Sequence, residues 1–480
     1  MPRSWRKPSI PPDEEQGWTS EWKDPIRNTL STDPPADRPV VERPLPCRRH
    51  PASATVTAIF FAPTAGPPRQ SRRPPLLRLL GPGLLVSVGY MDPGNWATDI
   101  EAGSRFGYAL LFVVLVSGAA AMLLQSLCAR LGIVTGQDLA QVTARRYGRP
   151  GRLTLWLVAE LAIIATDMAE VLGSALAIHL LFGLPLWIGT LITGLDTLVV
   201  LGLGTTRLRR TEAAVLGLVG TITVCFALQL AFVRPDGAAI VSGLLPSPTL
   251  LDEAALPVAI AIVGATVMPH NLYLHSAMIC SRLGEFRALG TLRAIRIATA
   301  DVIGSLSIAT IVNAAILVLA AATFHASGYR GVGDIADAYE LLAPLTGSQL
   351  AATLFAVALL ASGQSATFTG TIAGQVVLEG FTRWRMPDWQ RRAITRGIAI
   401  LPAVAGLCWL GETALGPLLV ATQILLSLAL PFTLWPLLRA SSDRTLMGDH
   451  ANGPGVRAIG WLLFAILAAC DLWLIRAVLG

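Results

Sequence analysis

From residue 81 onward, apolar residues come in runs of about twenty, separated by short clusters of Gly, Pro and Arg. Runs such as LLFVVLVSGAAAMLLQSL (110–127) and GWLLFAILAACDLWLI (460–475) approach the roughly 20 residues that a helix needs to cross a bilayer. The short alternating segments of a membrane barrel are not the pattern here. The runs predict eleven helices, near 81–104, 107–131, 152–181, 185–204, 211–234, 254–281, 295–323, 348–380, 393–410, 414–439 and 456–478. The expected class is an all-α integral membrane protein.

Composition agrees: 53% of residues are hydrophobic and 14% charged, against roughly 25% charged in soluble domains. Residues 1–75 differ in kind, rich in Pro and Arg, as in RQSRRPPLL, and read as a disordered tail. The apolar piece VTAIFFA (56–62) is too short to span and lacks a cleavage pattern, so no signal peptide is expected. Lysine occurs only at Lys7 and Lys23, and the net charge of +6 is spread along the chain, which excludes a nucleic-acid partner. The six cysteines stand singly, without the spacing of a zinc site or a disulfide framework.

Loop charge orients the helices. One side carries Arg145, Arg146 and Arg149, then Arg207, Arg209 and Arg210, then Arg282, Arg287 and Arg293, then Arg383 and Arg385, then Arg444. The other has Arg105, Arg234 and Arg330 among Asp236, Asp252, Glu253, Asp334, Asp337 and Glu340. The positive-inside rule places the first side, with the N-terminal tail, in the cytoplasm and the C-terminus after an odd number of spans outside. Arginine-rich, lysine-poor usage points to a GC-rich bacterium and its inner membrane.

Two helices are interrupted in the same way, by Asp92-Pro93-Gly94-Asn95 and by Met268-Pro269-His270-Asn271. They begin spans 1 and 6, corresponding members of two five-helix halves, and five is odd, so the second half enters the membrane from the other side. Paired broken helices in an inverted repeat mark a binding site at the midplane. Pro93 and Pro269 each remove a backbone donor, and Gly94 eases non-helical backbone. Carbonyls freed in this way need a partner, and a cation is the natural one. Asp92 supplies an anionic oxygen, Asn95 and Asn271 can supply neutral oxygen, and Met268 a thioether, a mixture suited to Mn²⁺ or Fe²⁺ more than to Mg²⁺ or Ca²⁺. Beside a proline break, Asn271 also reads as a helix cap.

These residues resemble the Nramp family of metal transporters, whose DPGN and MPHNLYLHS stretches both occur verbatim, with a third family-like stretch at ASGQSATFTGTIAGQVVLEGF (361–381). The resemblance covers roughly residues 76–440. It implies a LeuT-like fold of two inverted five-helix repeats, 76–235 and 254–440, followed by an eleventh helix at 456–478. It also implies proton-coupled import of Mn²⁺ or Fe²⁺, with Cd²⁺ and Co²⁺ as further cargo, by alternating access. Its metal ligands fall on Asp92, Asn95, Met268 and the carbonyl of Ala265, with Gln423 as a further ligand. The pattern departs at Ala429, where a second glutamine is usual.

Asp167 and Glu170 lie three residues apart on one face of span 3, where two carboxylates repel and one becomes a proton carrier. His270 beside the break can exchange protons with them. The resemblance gives Asp167, Glu170, His270 and an arginine the proton route, and Arg391 and Arg392 resemble the basic partners. His275, about 140° around the helix from His270, fits a gate better than a shared metal site.

The expected partners are metal ions, protons and lipid, with no cofactor and a monomer as the working unit. A LeuT-type carrier of an amino acid or another small solute is the main rival, although Asp92 and Met268 suit an anionic ligand poorly. No repeated filter motif suggests a channel. An intramembrane enzyme is disfavoured because HNLYLH is not HExxH.

Overall fold

The computed structural model describes residues 81–194, 208–382, 384, 386–410 and 415–479. Residues 1–80, which include the expected disordered tail, lie outside the described residues. Among the described residues there is no strand.

The first span is two helices, α1 (Pro82–Gly89) and α2 (Pro93–Phe106). After them come α3 (Leu111–Thr135), the short α4 (Leu139–Arg146), α5 (Arg149–Phe182), α6 (186–194), α7 (Leu208–Val233) and the short α8 (Gly237–Gly243). The sixth span is likewise two helices, α9 (Ala255–Val267) and α10 (Pro269–Ser281). A short α11 (Leu283–Arg287) leads to α12 (Thr291–Ala320), which ends in a π-helical turn, Ala321–His325. The chain closes with α13 (Ile335–Thr346), α14 (Gln349–Thr382), α15 (Asp388–Leu410), α16 (Leu415–Ser441), α17 (Arg444–Met447) and α18 (Pro454–Leu479).

Eight helical segments among the described residues are long and apolar enough to cross a membrane by themselves. The other three predicted spans fall short for identifiable reasons. The first is divided at residues 90–92, the fourth runs into residues outside the described set, and the ninth has only Ala393–Leu407 as an apolar stretch and carries Pro402 inside it. Observed boundaries differ from the predicted ones by a few residues. The largest shift is α15, which begins at Asp388 rather than 393 because the amphipathic turn DWQRR is helical too.

Local chemistry explains most helix ends. Asp92, Asp138, Asp236, Asp334 and Asp443 each cap a helix by accepting a backbone N–H. Gly136, Gly183 and Gly347 close helices in the left-handed region.

Burial separates the centre of the bundle from its rim. The apolar windows of α5 and of the Ala255–Ser281 pair are 83% buried, whereas that of α18 is 22% buried, so α18 stands at the periphery. Large apolar side chains such as Phe182, Ile311, Leu401 and Leu472 are exposed on outward faces, as a lipid-facing surface requires. Inside, α14 packs along α5 and α7, and α12 packs along α2 and α3. Trp96, fully buried, meets Phe226 of α7 and Phe355 of α14 edge-on at 4.8 and 5.2 Å between ring centroids. It fixes the second half of the broken span against its neighbours.

Candidate functional site

At the first break, the α1 end tightens, with Tyr90 N–H on the Ser87 carbonyl and Met91 N–H on that of Val88. Asp92 then caps α2, one carboxylate oxygen accepting the Asn95 N–H at 2.8 Å. Its other oxygen, Oδ2, is buried without a partner. The Asn95 amide nitrogen donates to the Tyr90 carbonyl and leaves Asn95 Oδ1 buried and unpartnered. One carboxylate therefore does two jobs, closing a helix with one oxygen and presenting the other.

At the second break a single residue leaves the helix. Met268 has φ 41°, a left-handed backbone that costs a non-glycine residue on the order of 1 kcal/mol or more. The carbonyl of Ala265 would normally accept from the residue four positions on, but that residue is Pro269, which has no N–H. The sequence thus frees this carbonyl at the negative end of α9, a favourable place for a cation.

Asn271 is not the cap that its place beside Pro269 suggests. The N-cap position of α10 is Met268, with no side-chain cap bond, and Asn271 Nδ2 instead donates to Met268 Sδ at 3.3 Å. The contact orients the thioether and leaves Asn271 Oδ1 unpartnered. Gln423 of α16 completes the wall. Its side chain lies where a Cβ on Gly94 would stand, Nε2 donates to Thr422 at 2.9 Å, and Oε1 is buried without a partner. Ala429 packs with Ala162 and Leu426 and adds no ligand.

Asp92, Asn95, Ala265, Met268 and Gln423 are all 1% exposed or less, and so is His270. The structure therefore holds these groups of the site away from solvent. Three of its buried oxygens lack any donor, and a sulfur and an unpaired carbonyl accompany them, a set that fits a cation. No group of three His, Cys, Asp or Glu side chains suited to a metal ion occurs among the described residues. This site draws instead on amide, carbonyl and thioether groups around one carboxylate.

A chain of polar contacts leads from the site into α5. His270 Nδ1 is 3.3 Å from Thr166 Oγ1, next to Asp167. Glu170 is buried, with Oε2 3.2 Å from Arg396 Nη1, and Asp167 Oδ1 is 3.9 Å from the same nitrogen. Arg396 also donates to Thr367 of α14 at 3.1 Å. Gly370 of α14 gives room, since a Cβ there would stand 2.9 Å from Glu170 Oε1.

Among the described side chains, the arginine that pairs with the Asp167 and Glu170 carboxylates is thus Arg396, not Arg391. Arg391 pairs with a further acid of α5, Glu160, at 2.9 Å, and Trp156 donates to the same carboxylate at 3.0 Å. The side chain of Arg392 lies outside the described residues. Arg396 had a readable signal, an arginine inside the apolar run ITRGIAILP, where a charge marks function by default.

On the other side of the site, His275 Nδ1 is 2.9 Å from Gln125 Oε1, and Gln125 donates to the Tyr90 hydroxyl at 2.8 Å. This chain ties α10 and α3 to the end of α1 beside the first break. Tyr273 and Phe381 pack edge-on at 5.6 Å between ring centroids, joining α10 to α14.

The fold and the site define a helical membrane protein built on two broken spans, with a cation-ready cluster where they meet. Residues 83–477 match the family described as Nramp, natural resistance-associated macrophage protein-like, and the chain belongs to that family. The chain is 58% identical over 402 residues to the divalent metal cation transporter MntH 1 of Pseudomonas aeruginosa, covering 83% of this chain and 91% of that protein. It is 55% identical to the divalent metal cation transporter MntH of Ralstonia nicotianae, over 84% of this chain and 92% of that one. Among solved structures, the Eremococcus coleocola manganese transporter superposes with a TM-score of 0.78 at 39% identity, covering 86% of this chain and 89% of that chain. Mhp1, a nucleobase-cation-symport-1 transporter, matches with a TM-score of 0.52 at 18% identity over 83% of this chain and 92% of its own, and so shares the LeuT-type fold alone.

Proposed function

We propose that this protein imports divalent transition metal ions, Mn²⁺ first and Fe²⁺, Cd²⁺ and Co²⁺ in addition, through a bacterial inner membrane, driven by protons that move with the metal. The observation that carries the reading is a buried, unpartnered carboxylate oxygen of Asp92 at one helix break and a buried thioether of Met268, held by Asn271, at the other. A hard anionic oxygen and a soft sulfur together suit a transition metal and not an amino acid carboxylate. The names of the relatives, divalent metal cation and manganese transporters, point the same way, and a secondary transporter of this kind is not an enzyme.

In this reading Asp92, Asn95, Met268, Gln423 and the Ala265 carbonyl replace the hydration shell of the metal. Asp92 changes its charge balance when the metal arrives, and the polar chain through His270 and Thr166 to Asp167, Glu170 and Arg396 takes the proton. His275, with Gln125 and Tyr90, holds the cytoplasmic side shut. The N-terminus is cytoplasmic and the C-terminus external, and one chain suffices for transport.

Purified protein in proteoliposomes, with a metal-sensing dye inside and a pH dye alongside, tests this. Saturable Mn²⁺ uptake accompanied by acidification of the lumen is expected, with Fe²⁺, Cd²⁺ and Co²⁺ accepted ahead of Mg²⁺ and Ca²⁺. Mn²⁺ uptake without proton movement would remove the coupling, and uptake of amino acids in place of Mn²⁺ would overturn the reading.

A further inference from the structure

Asp99 has no place in the site described above, yet it is buried at 2% exposure inside a membrane helix. Its Oδ2 is shut away from solvent without a protein donor. At 100° and 1.5 Å per residue, the seven residues from Asp92 carry Asp99 about 10.5 Å along α2 and to within about 20° of the same face.

The packing of α2 on α12 says what Asp99 faces. Asn95 and Asn313 of α12 both donate to the Tyr90 carbonyl, Asn313 at 2.9 Å, so the two side chains meet at one atom. Two turns after Asn95, Gly103 sits against the carbonyl of Leu317 and the Cβ of Ala320. The two helices therefore run side by side in the same direction. Asp99 is four residues after Asn95 and four before Gly103, midway between them in both rise and angle. Helical spacing therefore turns this position toward α12, over the turn Asn313–Leu317. That turn offers no side-chain donor to it: Asn313 spends its amide nitrogen on Tyr90, and its Oδ1 is itself buried and unpartnered at 2% residue exposure.

The seam thus gathers acceptors without donors: Asp99 Oδ2, Asn313 Oδ1 and, at its lower end, Asn95 Oδ1. Such a surplus of buried oxygen is satisfied by a cation. We propose that the α2–α12 seam is a second divalent-cation station, with Asp99 as its anionic ligand and Asn313 as a neutral one, two turns from the Asp92 site and linked to it through Asn95. Its ligands are all oxygen. It accepts hard and borderline divalent ions alike, and selection is left to Met268 at the first site. The station rests on the metal-transport reading, since its ligand is the same cargo.

Counting bound Mn²⁺ by electron paramagnetic resonance on the purified full-length protein in nanodiscs tests it. Wild type is expected to bind two ions, Asp99→Asn one, Asp92→Asn one, and the double variant none. Unchanged binding of two ions by Asp99→Asn, or a wild type that binds only one, would overturn the second station while leaving the first intact. A wild type that binds none would overturn the transport reading itself. Should Asp99→Asn fail to elute as a folded monodisperse species, Asn313→Asp adds a carboxylate to the same seam. It should tighten the weaker Mn²⁺ at least severalfold, and an unchanged affinity would equally overturn the station.

Discussion

Single residues at the two breaks hold several roles at once, and this sets the outcome of changing them. Asp92→Asn keeps an oxygen for the Asn95 N–H and so preserves the cap, but it removes the anion. Both Mn²⁺ uptake and metal-stimulated proton flux in proteoliposomes should disappear while the protein still folds. Met268→Ala removes the sulfur and the acceptor of Asn271. Mn²⁺ uptake should persist at a reduced level, with Ca²⁺ and Mg²⁺ competing more strongly in the same flux assay. Arg396→Ala leaves Glu170 buried beside Asp167 without its cation, which destabilises by ~3 kcal/mol. Thermal unfolding in detergent should show a lowered Tm, partly restored by adding Glu170→Gln.

At the scale of elements, the site depends on helices approaching closer than ordinary side chains allow. A Cβ on Gly264 of α9 would stand 2.8 Å from the Ser427 N–H and on the Gln423 carbonyl, and one on Gly94 would occupy the space of the Gln423 side chain. Gly264→Ala should force α9 from α16 and reduce Mn²⁺ uptake at least tenfold at normal membrane expression, measured as uptake per protein on a quantitative blot. Small residues at such seams are what membrane helices use to bring backbones together.

In the connection between α3 and α4, burial raises the Asp138 carboxyl to about 6, although it caps α4 through the Gln141 N–H at 2.8 Å. Because the folded value lies above the ordinary carboxylate value near 4, folding takes up a proton between about pH 4 and 6. The stability from this group is present below about pH 4 and is lost as pH rises through 6. Asp138→Asn, which keeps a cap, should flatten the fall in Tm across that window in detergent.

For the whole molecule, the charge bias of the loops makes a topological prediction. A cysteine at Ser442, between α16 and α17, should react with an impermeant thiol reagent only from the cytoplasmic side, and one at Ser327 only from outside. The reverse pattern would invert the orientation.

The sequence by itself determined the class and the two breaks, and it named the residues proposed here as ligands. These rest on local rules: apolar length, proline without an N–H, and a carboxylate too rare in a membrane helix to be incidental. Pro269 alone dictates that the Ala265 carbonyl lacks its helical donor. What only the tertiary structure decided is who meets whom across helices distant in sequence. Arg396 rather than Arg391 reaches Glu170, Asn271 turns to Met268 rather than to a backbone N–H, and Asn313 reaches across to the Tyr90 carbonyl. Local propensity is silent on such pairings because they are fixed by the packing of one helix surface on another. A charged or polar group buried between two helices finds its partner, or lacks one, only when both are in place.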